Sequence, residues 1–289
     1  MMTDMLGKKR YKINFHTHTT RSDGRKSLAE AINIYREAGY DAIAVTDHWS
    51  FFESTEKNGL KLFSGLEYDM KHTAPPYGLF HIVGVGMKQD PELPRDATAQ
   101  DAIDAIHRAG GLAILGHPAW SLNTPEQILA LRDVDATEIY NADAELHNLR
   151  GDSSLIIDQI GTLGRYYPLL ATDDAHDYAG DACECWVMVE AEECSFDAIA
   201  ESVRAGRFYA TQGPEVHMTR EGDRLVVRCS PCSMISFFSN RASGKRLFRG
   251  ENLTEASFPV RPNEPYVRVE VMDANGKRAW TNCFVAETN

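Results

Sequence analysis

The chain has 289 residues, of which 43% are hydrophobic and 25% are charged. These values are typical of a folded protein with one large or two smaller domains, and they exclude disordered and collagen-like chains. Thirty basic and 42 acidic side chains give a net charge of −12, which disfavours binding to long nucleic acids and anionic membranes. The sequence has no apolar run of membrane-spanning length and begins without the apolar stretch of a signal peptide. We therefore expect a cytoplasmic protein.

Short apolar strands alternate with helical patterns over residues 11–211. In chain order the predicted elements are strand 12–19, helix 27–39, strand 41–48, strand 62–69, strand 79–87, helix 98–110, strand 112–118, helix 124–132, strand 137–141, helix 144–161, strand 166–176, strand 184–190 and helix 195–206. Ser27 with Glu30 is a capping-box pattern, and Thr124 followed by Pro125 marks another helix start. Repeated βα units predict parallel strands with helices outside, in a doubly wound sheet or a barrel.

The pattern changes at Gly213-Pro214, after which no helical periodicity remains. The predicted strands are 216–222, 224–230, 234–240, 257–261, 266–273 and 281–287. We expect a domain boundary here, with an α/β domain over 1–213 and a small antiparallel β-sandwich over 214–289. Four aromatic residues of the second domain could line a binding face, but we expect them to form its core. They are Phe237, Phe238, Tyr266 and Trp280.

Six cysteines in a chain of this length do not indicate a disulfide framework. Two close pairs, Cys183 with Cys185 and Cys229 with Cys232, have the composition of a zinc site. Because the pairs fall in different predicted domains, we expect small apolar side chains instead of zinc ligands.

Imidazole and carboxylate groups recur near the ends of the predicted strands. HTHTTRSDG holds two histidines at alternate strand positions, so that their side chains point to the same side, and an aspartate in the following turn. Further candidate metal ligands follow at later strands, in the motifs TDH, GLE, FHIVG, GHP and DDAH. The nine residues are His16, His18, Asp23, His48, Glu67, His81, His117, Asp174 and His176. Since the carboxyl ends of parallel strands meet on one face, this convergence predicts a site for several metal ions.

These motifs closely resemble those of the PHP (polymerase and histidinol phosphatase) family over residues 11–213. The resemblance implies a distorted (β/α)7 barrel with a two- or three-metal centre that hydrolyses phosphate esters. The segment from GRFYATQGPE to WTNCF is similar to a PHP subgroup with a short C-terminal β-sandwich. Together they predict an α/β barrel followed by a small all-β sandwich.

The resemblance also implies how the nine residues divide among the metal ions. The first ion is held by His16, His18, Glu67 and Asp174. The second ion is held by Asp23, His48 and His176. The third ion is held by His81 and His117, with Glu67 as the bridge to it. A metal-bridging hydroxide then attacks phosphorus in line, while the ions stabilise the developing charge. Four residues are assigned a catalytic role. Glu67, Asp174 and His176 act through the ions that they hold, and the fourth residue is Arg21. Arg21 could donate to a phosphoryl oxygen, or it could be a solvated loop residue.

Two features depart from the family pattern. One branch that acts on nucleotides and oligonucleotides has a long insertion between the histidines matching His81 and His117, whereas 35 residues separate them here, which argues against nucleotide specificity. Asp173 stands where the family commonly has serine, and we expect it behind the ligands or at the surface. Asp47 is expected to orient His48 or its neighbours. The four histidines outside the motifs are expected at the surface or at helix ends. They are His72, His107, His147 and His217.

The sequence favours a metal-dependent phosphoesterase that acts on a small phosphate ester, with two or three divalent ions of zinc, manganese or iron. With three ions, the carboxylates of Asp23, Glu67 and Asp174 and the hydroxide leave the site a net charge of +2, which matches a phosphate dianion. With two ions the net charge of the site is zero. Two alternatives stay open: a metallohydrolase of a carbamate, amide or carboxylic ester, and a binding protein that metals only stabilise. The C-terminal domain is expected to supply no metal ligand. The physiological substrate and the oligomeric state do not follow from the sequence.

Overall fold

A computed structural model describes residues 1–72, 78–241 and 246–286, apart from the side chain of His72. The helices in these ranges are α1 (Leu28–Glu37), α2 (Ala99–Arg108), α3 (Pro125–Leu129), α4 (Ala142–Asn148), α5 (Ser154–Thr162) and α6 (Phe196–Arg204). None of these helices is long and apolar enough to cross a membrane.

The strands are β1 (Met2–Thr3), β2 (Lys9–Asn14), β3 (Ala42–Ala44), β4 (Thr55–Lys57), β5 (Leu60–Phe63), β6 (Gly65–His72), β7 (Gly78–Val85), β8 (Leu112–Leu115), β9 (Ala136–Asn141), β10 (Leu169–Thr172), β11 (Trp186–Glu190), β12 (Phe208–Thr211), β13 (Val216–Glu221), β14 (Arg224–Phe238), β15 (Leu247–Pro259), β16 (Tyr266–Met272), β17 (Arg278–Thr281) and β18 (Phe284–Val285). An α/β domain followed by a mostly β C-terminal region confirms the predicted fold class.

Seven of the described strands form the barrel of the α/β domain. β2 and β3 pair in parallel, and the other five form a sheet in the order β10-β9-β8-β7-β6. Two isolated bridges join these sheets, one between Thr17 and Ala175 and the other between His48 and Glu67. The barrel therefore closes at the end where β2, β3 and β10 stop, which is the end that carries the motif residues.

β7 runs antiparallel to both of its neighbours, whereas the repeated βα pattern predicts parallel strands. The prediction is wrong here because only five residues separate β6 from β7, and a parallel connection needs a dozen or more. His81 is consequently the fourth residue of its strand and does not lie at a carboxyl end. The reversal brings this early part of β7 to the same end of the barrel as the carboxyl ends of β2, β3, β8 and β10.

Side-chain hydrogen bonds confirm two predicted helix starts. Ser27 and Thr124 each form a capping box at the first turn of α1 and α3. The single helix predicted over 144–161 is instead α4 and α5, separated by a tight turn. A Cβ atom on Gly151 in this turn would lie 2.3 Å from the carbonyl oxygen of Asn141. The close approach of the turn to β9 therefore requires glycine and interrupts the helix.

The C-terminal strands differ from the prediction in their boundaries. The strands predicted at 224–230 and 234–240 are one strand, β14, whose register shifts around Pro231. β15 begins ten residues before the predicted strand 257–261. Its first residues are mostly exposed and lack an apolar alternation, so hydrophobic periodicity does not detect them. The strand predicted over 281–287 ends on a residue outside the described ranges.

Hydrogen bonds connect the C-terminal strands to the barrel. β12 pairs with β11 on one side and with β17 on the other, so a continuous sheet runs from the barrel into the C-terminal region. Trp280 is buried in the barrel core, where it stacks on Tyr140 with ring centroids 5.4 Å apart. Phe237 and Tyr266 are buried as well, as expected of core residues, whereas Phe238 is only partly buried. The domain boundary at Gly213-Pro214 stays a prediction.

The two cysteine pairs do not come together. Cys185 belongs to the barrel core, whereas Cys229 and Cys232 belong to the core of the C-terminal region. Their separation agrees with the expectation that they act as small apolar side chains.

Arg268 ties the C-terminal region to α5. Its buried guanidinium donates to the two carboxylate oxygens of Asp158 at 2.8 and 2.7 Å and lies 4.2 Å from the ring of Phe238. Asp158→Asn is expected to lower the free energy of unfolding by about 3 kcal/mol, because a buried cation loses its partner. Denaturant titration measures this effect. The control is Glu201→Gln, which removes an exposed ion pair with Arg207 and should cost less than about 0.5 kcal/mol; equal costs would contradict the prediction.

His107 at the end of α2 pairs with Asp135, with 2.7 Å between Nε2 and Oδ2. This hydrogen bond raises the pKa of His107. Its stabilising contribution is therefore complete below the unfolded pKa of about 6.5 and is lost as the pH rises through the folded value. We expect His107→Gln to cost about 1 kcal/mol near pH ~5.5 and little near pH ~9. Thermal denaturation of both proteins across this range checks the prediction, and a pH-independent difference would disprove it.

Candidate metal centre

The nine residues selected by the motifs lie together at one end of the barrel. His16 and His18 follow β2 and are succeeded by Asp23 in the next turn, while Glu67 and His81 project from the paired strands β6 and β7. Loops after β3, β8 and β10 carry the others, His48, His117, Asp174 and His176. Their nitrogen and oxygen atoms form overlapping groups, in each of which the atoms lie within 4.8 Å of one another.

Four buried side chains form the centre of the cluster. The Nε2 atoms of His16 and His18 lie 3.2 Å apart. Each is 3.0 to 3.2 Å from Oε2 of Glu67 and from Oδ1 of Asp174. Oδ1 of Asp174 is buried and makes no hydrogen bond within the described part of the chain. Two imidazoles and two carboxylates that face one point, with an orphaned buried oxygen, fit a bound divalent cation.

A second group surrounds Asp23. Its oxygens lie 3.6 Å from ring nitrogens of His18 and His176 and 3.7 Å from Nε2 of His48. Nδ1 of His48 is buried without a hydrogen-bond partner among the described residues, 3.2 Å from Oε2 of Glu67. This group also has the donor set of a divalent metal site.

A third group uses the other oxygen of Glu67. Oε1 lies 2.6 Å from Nδ1 of His81 and 3.5 Å from Nε2 of His117. The two imidazole rings are 4.7 Å apart between centroids. Glu67 therefore presents Oε2 to the first two groups and Oε1 to this pair, which is the arrangement that a bridging carboxylate requires.

The two imidazoles and two carboxylates at the centre of the cluster hold one another in their charged forms. Burial alone would raise the pKa of Glu67, but the charges of His16, His81 and His48 hold the pKa well below its ordinary value. For His18, burial lowers the pKa, but the carboxylates of Asp174 and Glu67, each 3.0 Å from its Nε2, outweigh this effect and raise the pKa to about 10. The carboxylates are thus ionised and available as ligands, and a bound cation would replace the imidazolium protons.

Glu138 on β9 belongs to the site and is not among the sequence-based candidates. Its carboxylate lies 2.8 Å from Nδ1 of His16 and accepts the backbone N–H of His117 at 2.8 Å. Asn141 donates to Glu138 and to Asp174, at 2.8 and 3.1 Å. By holding Nδ1 of His16, Glu138 directs Nε2 towards the centre. A lone glutamate in a wholly buried strand was the signal that could have found it.

Asp143 in the first turn of α4 is a further acidic group at the mouth. Its Oδ1 lies 3.7 Å from Nδ1 of His176. Burial and the charge of Asp174 raise the pKa of Asp143 to about 6. Its position in a helix, away from every motif, left no sequence signal.

The backbone is strained at two of the nine residues. His117 has a φ of 23° and Asp174 a φ of 54°. Each conformation costs of the order of 1–3 kcal/mol for a residue with a side chain, and such strain is common where a side chain must be aimed at a functional site.

Asp173 was expected behind the ligands or at the surface, and its complete burial excludes the surface position. Its carboxylate accepts hydrogen bonds from the Tyr35 hydroxyl at 2.9 Å and from the backbone N–H groups of Cys183, Glu184 and Cys185 at 2.8 to 2.9 Å. It therefore anchors the loop that follows His176.

Asp47 also acts on a loop. Its buried carboxylate accepts from the backbone and hydroxyl of Thr19 at 2.7 Å and from the Ser22 hydroxyl at 2.8 Å. It thus holds the turn that carries Asp23, and it makes no hydrogen bond to His48 within the described residues.

Arg21 lies beside the cluster and not within it. Its guanidinium donates to the carbonyl oxygen of Phe51 at 2.9 Å. Among the histidines outside the motifs, His147 is an exposed residue of α4, as expected, whereas His217 is buried and its Nε2 lies 2.6 Å from Oε1 of Glu215. The expectation of a surface position is therefore wrong for His217.

An α/β barrel with histidines and carboxylates clustered at one end defines a class of metal-binding barrel proteins. The PHP domain family matches residues 14–184, which is more than half of the chain. The protein therefore belongs to the PHP domain family.

Individual relatives cover different parts of the chain. DNA polymerase III PolC-type from Mycoplasma genitalium is 34% identical over 73 residues, which are 23% of this chain and 5% of the polymerase. An uncharacterized protein from Methanocaldococcus jannaschii is 28% identical over 145 residues, 45% of this chain and 82% of that protein.

A solved structure matches the whole fold. It is a two-domain protein from Bacteroides vulgatus described as containing a predicted PHP-like metal-dependent phosphoesterase. The two structures share 17% identity and a TM-score of 0.55, over 99% of this chain and 97% of the other. This similarity confirms the arrangement of an α/β domain followed by a mostly β region.

Proposed function

We propose that this protein is a metal-dependent phosphoesterase that binds three divalent ions and hydrolyses a small phosphate ester. The observation that carries the proposal is the position of Glu67. Its Oε2 lies within 3.2 Å of ring nitrogens of His16, His18 and His48, while its Oε1 lies 2.6 Å from His81. A carboxylate shared in this way suits a multinuclear centre, in which the ions are about 3.5–4 Å apart.

Each group of side chains is assigned one ion of zinc, manganese or iron. The first is His16, His18, Glu67 and Asp174, the second is Asp23, His48 and His176, and the third is His81, His117 and Glu67. Divalent ions in such a centre lower the pKa of water and polarise phosphoryl oxygens. The protein's own contribution is to keep Glu67 and Asp174 ionised and, through Glu138, to hold His16 in the tautomer that points Nε2 at the centre.

The charge of the site favours a dianionic substrate when three ions are bound. Glu138 adds a fourth negative charge to those of Asp23, Glu67 and Asp174. Three divalent ions against four carboxylates and the hydroxide leave +1, and two ions leave −1, so only the three-ion site attracts a phosphate dianion. Three ions therefore suit a phosphate monoester, whereas two would suit a neutral ester or amide.

The experiment is to remove the metals with a chelator and to restore them one equivalent at a time. We expect hydrolysis of p-nitrophenyl phosphate to return in full only near three equivalents of zinc, manganese or ferrous iron per chain, and hydrolysis of p-nitrophenyl acetate to stay minor. His16→Ala, purified in the same way, controls for contaminating phosphatases. Preferential cleavage of the acetate would favour the carboxylic ester alternative, and metal binding without hydrolysis would favour a binding protein.

Arg21 is proposed as a donor to the phosphoryl group, because within the described residues its guanidinium makes one hydrogen bond, to Phe51, and an arginine has five N–H groups. Arg21→Ala is expected to lower kcat/KM for p-nitrophenyl phosphate about tenfold, which is the effect of one charge-assisted hydrogen bond. Arg21→Lys should recover part of the loss. Steady-state kinetics of the three proteins measure this, and an unchanged kcat/KM in Arg21→Ala would reduce Arg21 to a solvated loop residue.

A further inference from the structure

An apolar side chain borders the third group of the candidate metal centre, and two exposed leucines stand close to it in the chain or next to its hydrogen-bond partner. Trp120 is half-buried, with its ring centroid 5.0 Å from that of His117 and 5.4 Å from that of His81. Leu122 follows in the same loop and is 65% exposed, and Leu149 at the end of α4 is 83% exposed. We refer to Trp120, Leu122 and Leu149 as the apolar rim.

The apolar rim is held together across two loops. Nε1 of Trp120 donates to the side-chain oxygen of Asn148 at 2.8 Å, next to Leu149 in the chain. The backbone N–H of Ala119 donates to the hydroxyl of Ser153 at 3.2 Å. The loop after β8 and the end of α4 are therefore fixed against each other, with the Trp120 ring set before a substrate approaches.

Backbone conformation shows that the two leucines are not neutral surface residues. Leu122 has a φ of 56° and Leu149 a φ of 55°. This left-handed conformation is unfavourable for leucine, and glycine or asparagine is the ordinary choice at the end of a helix. Two exposed leucines in a costly conformation, one two residues after Trp120 and the other next to its partner Asn148, indicate that their side chains have a use.

We infer that the apolar rim binds the organic group of the substrate, and that this group is aromatic. The inference rests on the proposed phosphoesterase function, because the metal centre then holds the phosphoryl group a few ångströms from Trp120. A flat indole stacks on an aromatic ring, and the leucine side chains cover apolar surface that would otherwise face water. The substrate class is an aryl phosphate or another monoester with an aromatic group next to the ester oxygen.

The test compares two phosphonates, which share the charged head and are not hydrolysed. The ratio of Kd values for methylphosphonate and benzylphosphonate is measured by calorimetry on the metal-loaded protein. We expect benzylphosphonate to bind about tenfold more tightly to the parent. In Trp120→Ala the ratio should fall close to one. Leu155→Ala removes a leucine of α5 that is 71% exposed and outside the rim, and it should keep the parental ratio.

A second variant keeps the test decisive if Trp120→Ala folds poorly. Leu149→Gly relieves the strained backbone, so it should raise the Tm while it lowers the preference for benzylphosphonate at least about twofold. Equal affinities in the parent, or a preference that survives in both variants, would overturn the inference and leave the phosphoesterase proposal standing. If the parent forms dimers, and Leu149→Gly dissociates them without changing the ratio of Kd values, the apolar rim would be a contact with a second copy of the chain. If neither phosphonate binds, the proposed function fails and the inference fails with it.

Discussion

Substitution of Glu67 by glutamine is expected to lower phosphatase turnover at least about a thousandfold while the protein stays folded. The amide keeps the shape of the side chain but removes one of the few negative charges among the candidate ligands, and it bridges cations poorly. Repulsion between the ions should then expel at least one of them. We expect the third ion to be lost first, because only His81 and His117 would still hold it. Fewer ions stabilise less charge on the phosphoryl oxygens.

The measurements are metal content by mass spectrometry and steady-state hydrolysis of p-nitrophenyl phosphate. Glu53→Gln makes the same chemical change at an exposed position outside the cluster, and it should keep the parental metal content and turnover. The Tm of Glu67→Gln is expected to fall below that of the metal-loaded parent and towards that of the metal-depleted parent, because stabilisation by the lost ion disappears. Full metal content with near-parental turnover would refute the bridging role of Glu67 and the three-ion centre with it.

Replacement of Asp173 by alanine is expected to cost about 5 kcal/mol of unfolding free energy, enough to prevent folding of a marginally stable domain. The carboxylate satisfies one hydroxyl and three backbone N–H groups in a fully buried position. Each donor left without an acceptor costs about 1–3 kcal/mol. The loop that follows His176 would lose its attachment to the barrel, and the second group of the metal centre would be disturbed.

Asp173→Asn keeps one oxygen in place and is the matched variant. Its remaining oxygen can still accept the N–H groups of Glu184 and Cys185, so we expect a cost near half that of alanine. Denaturant titration of the soluble variants and hydrogen exchange of residues 183–185 measure both effects. A stable Asp173→Ala protein whose loop exchanges no faster than the parent would show that water replaces the carboxylate.

The residues of the candidate metal centre were largely predictable because they stand in short motifs. His16 and His18 are two positions apart, which in a strand puts side chains on one side; β2 ends at Asn14, but the Nε2 atoms of the two histidines still lie 3.2 Å apart. The capping boxes at Ser27 and Thr124 likewise depend on neighbours three residues away, and the structure has both. In each case the interaction that matters lies within a few residues of the chain, which is the range that a sequence pattern can report.

The direction of β7, the supporting role of Glu138 and the burial of Asp173 were decided by tertiary structure. Glu138 holds His16 across 122 residues of sequence, and no local periodicity states which strands become neighbours. Trp280 fills the barrel core although it lies in the C-terminal region, because hydrogen bonds between β12 and β17 carry that region onto the barrel. The sequence by itself determined which imidazole and carboxylate side chains stand near the strand ends, where they are available as metal ligands. The pairing of distant strands determined which of them meet, because packing and hydrogen bonding between strands depend on spatial neighbours and not on spacing along the chain.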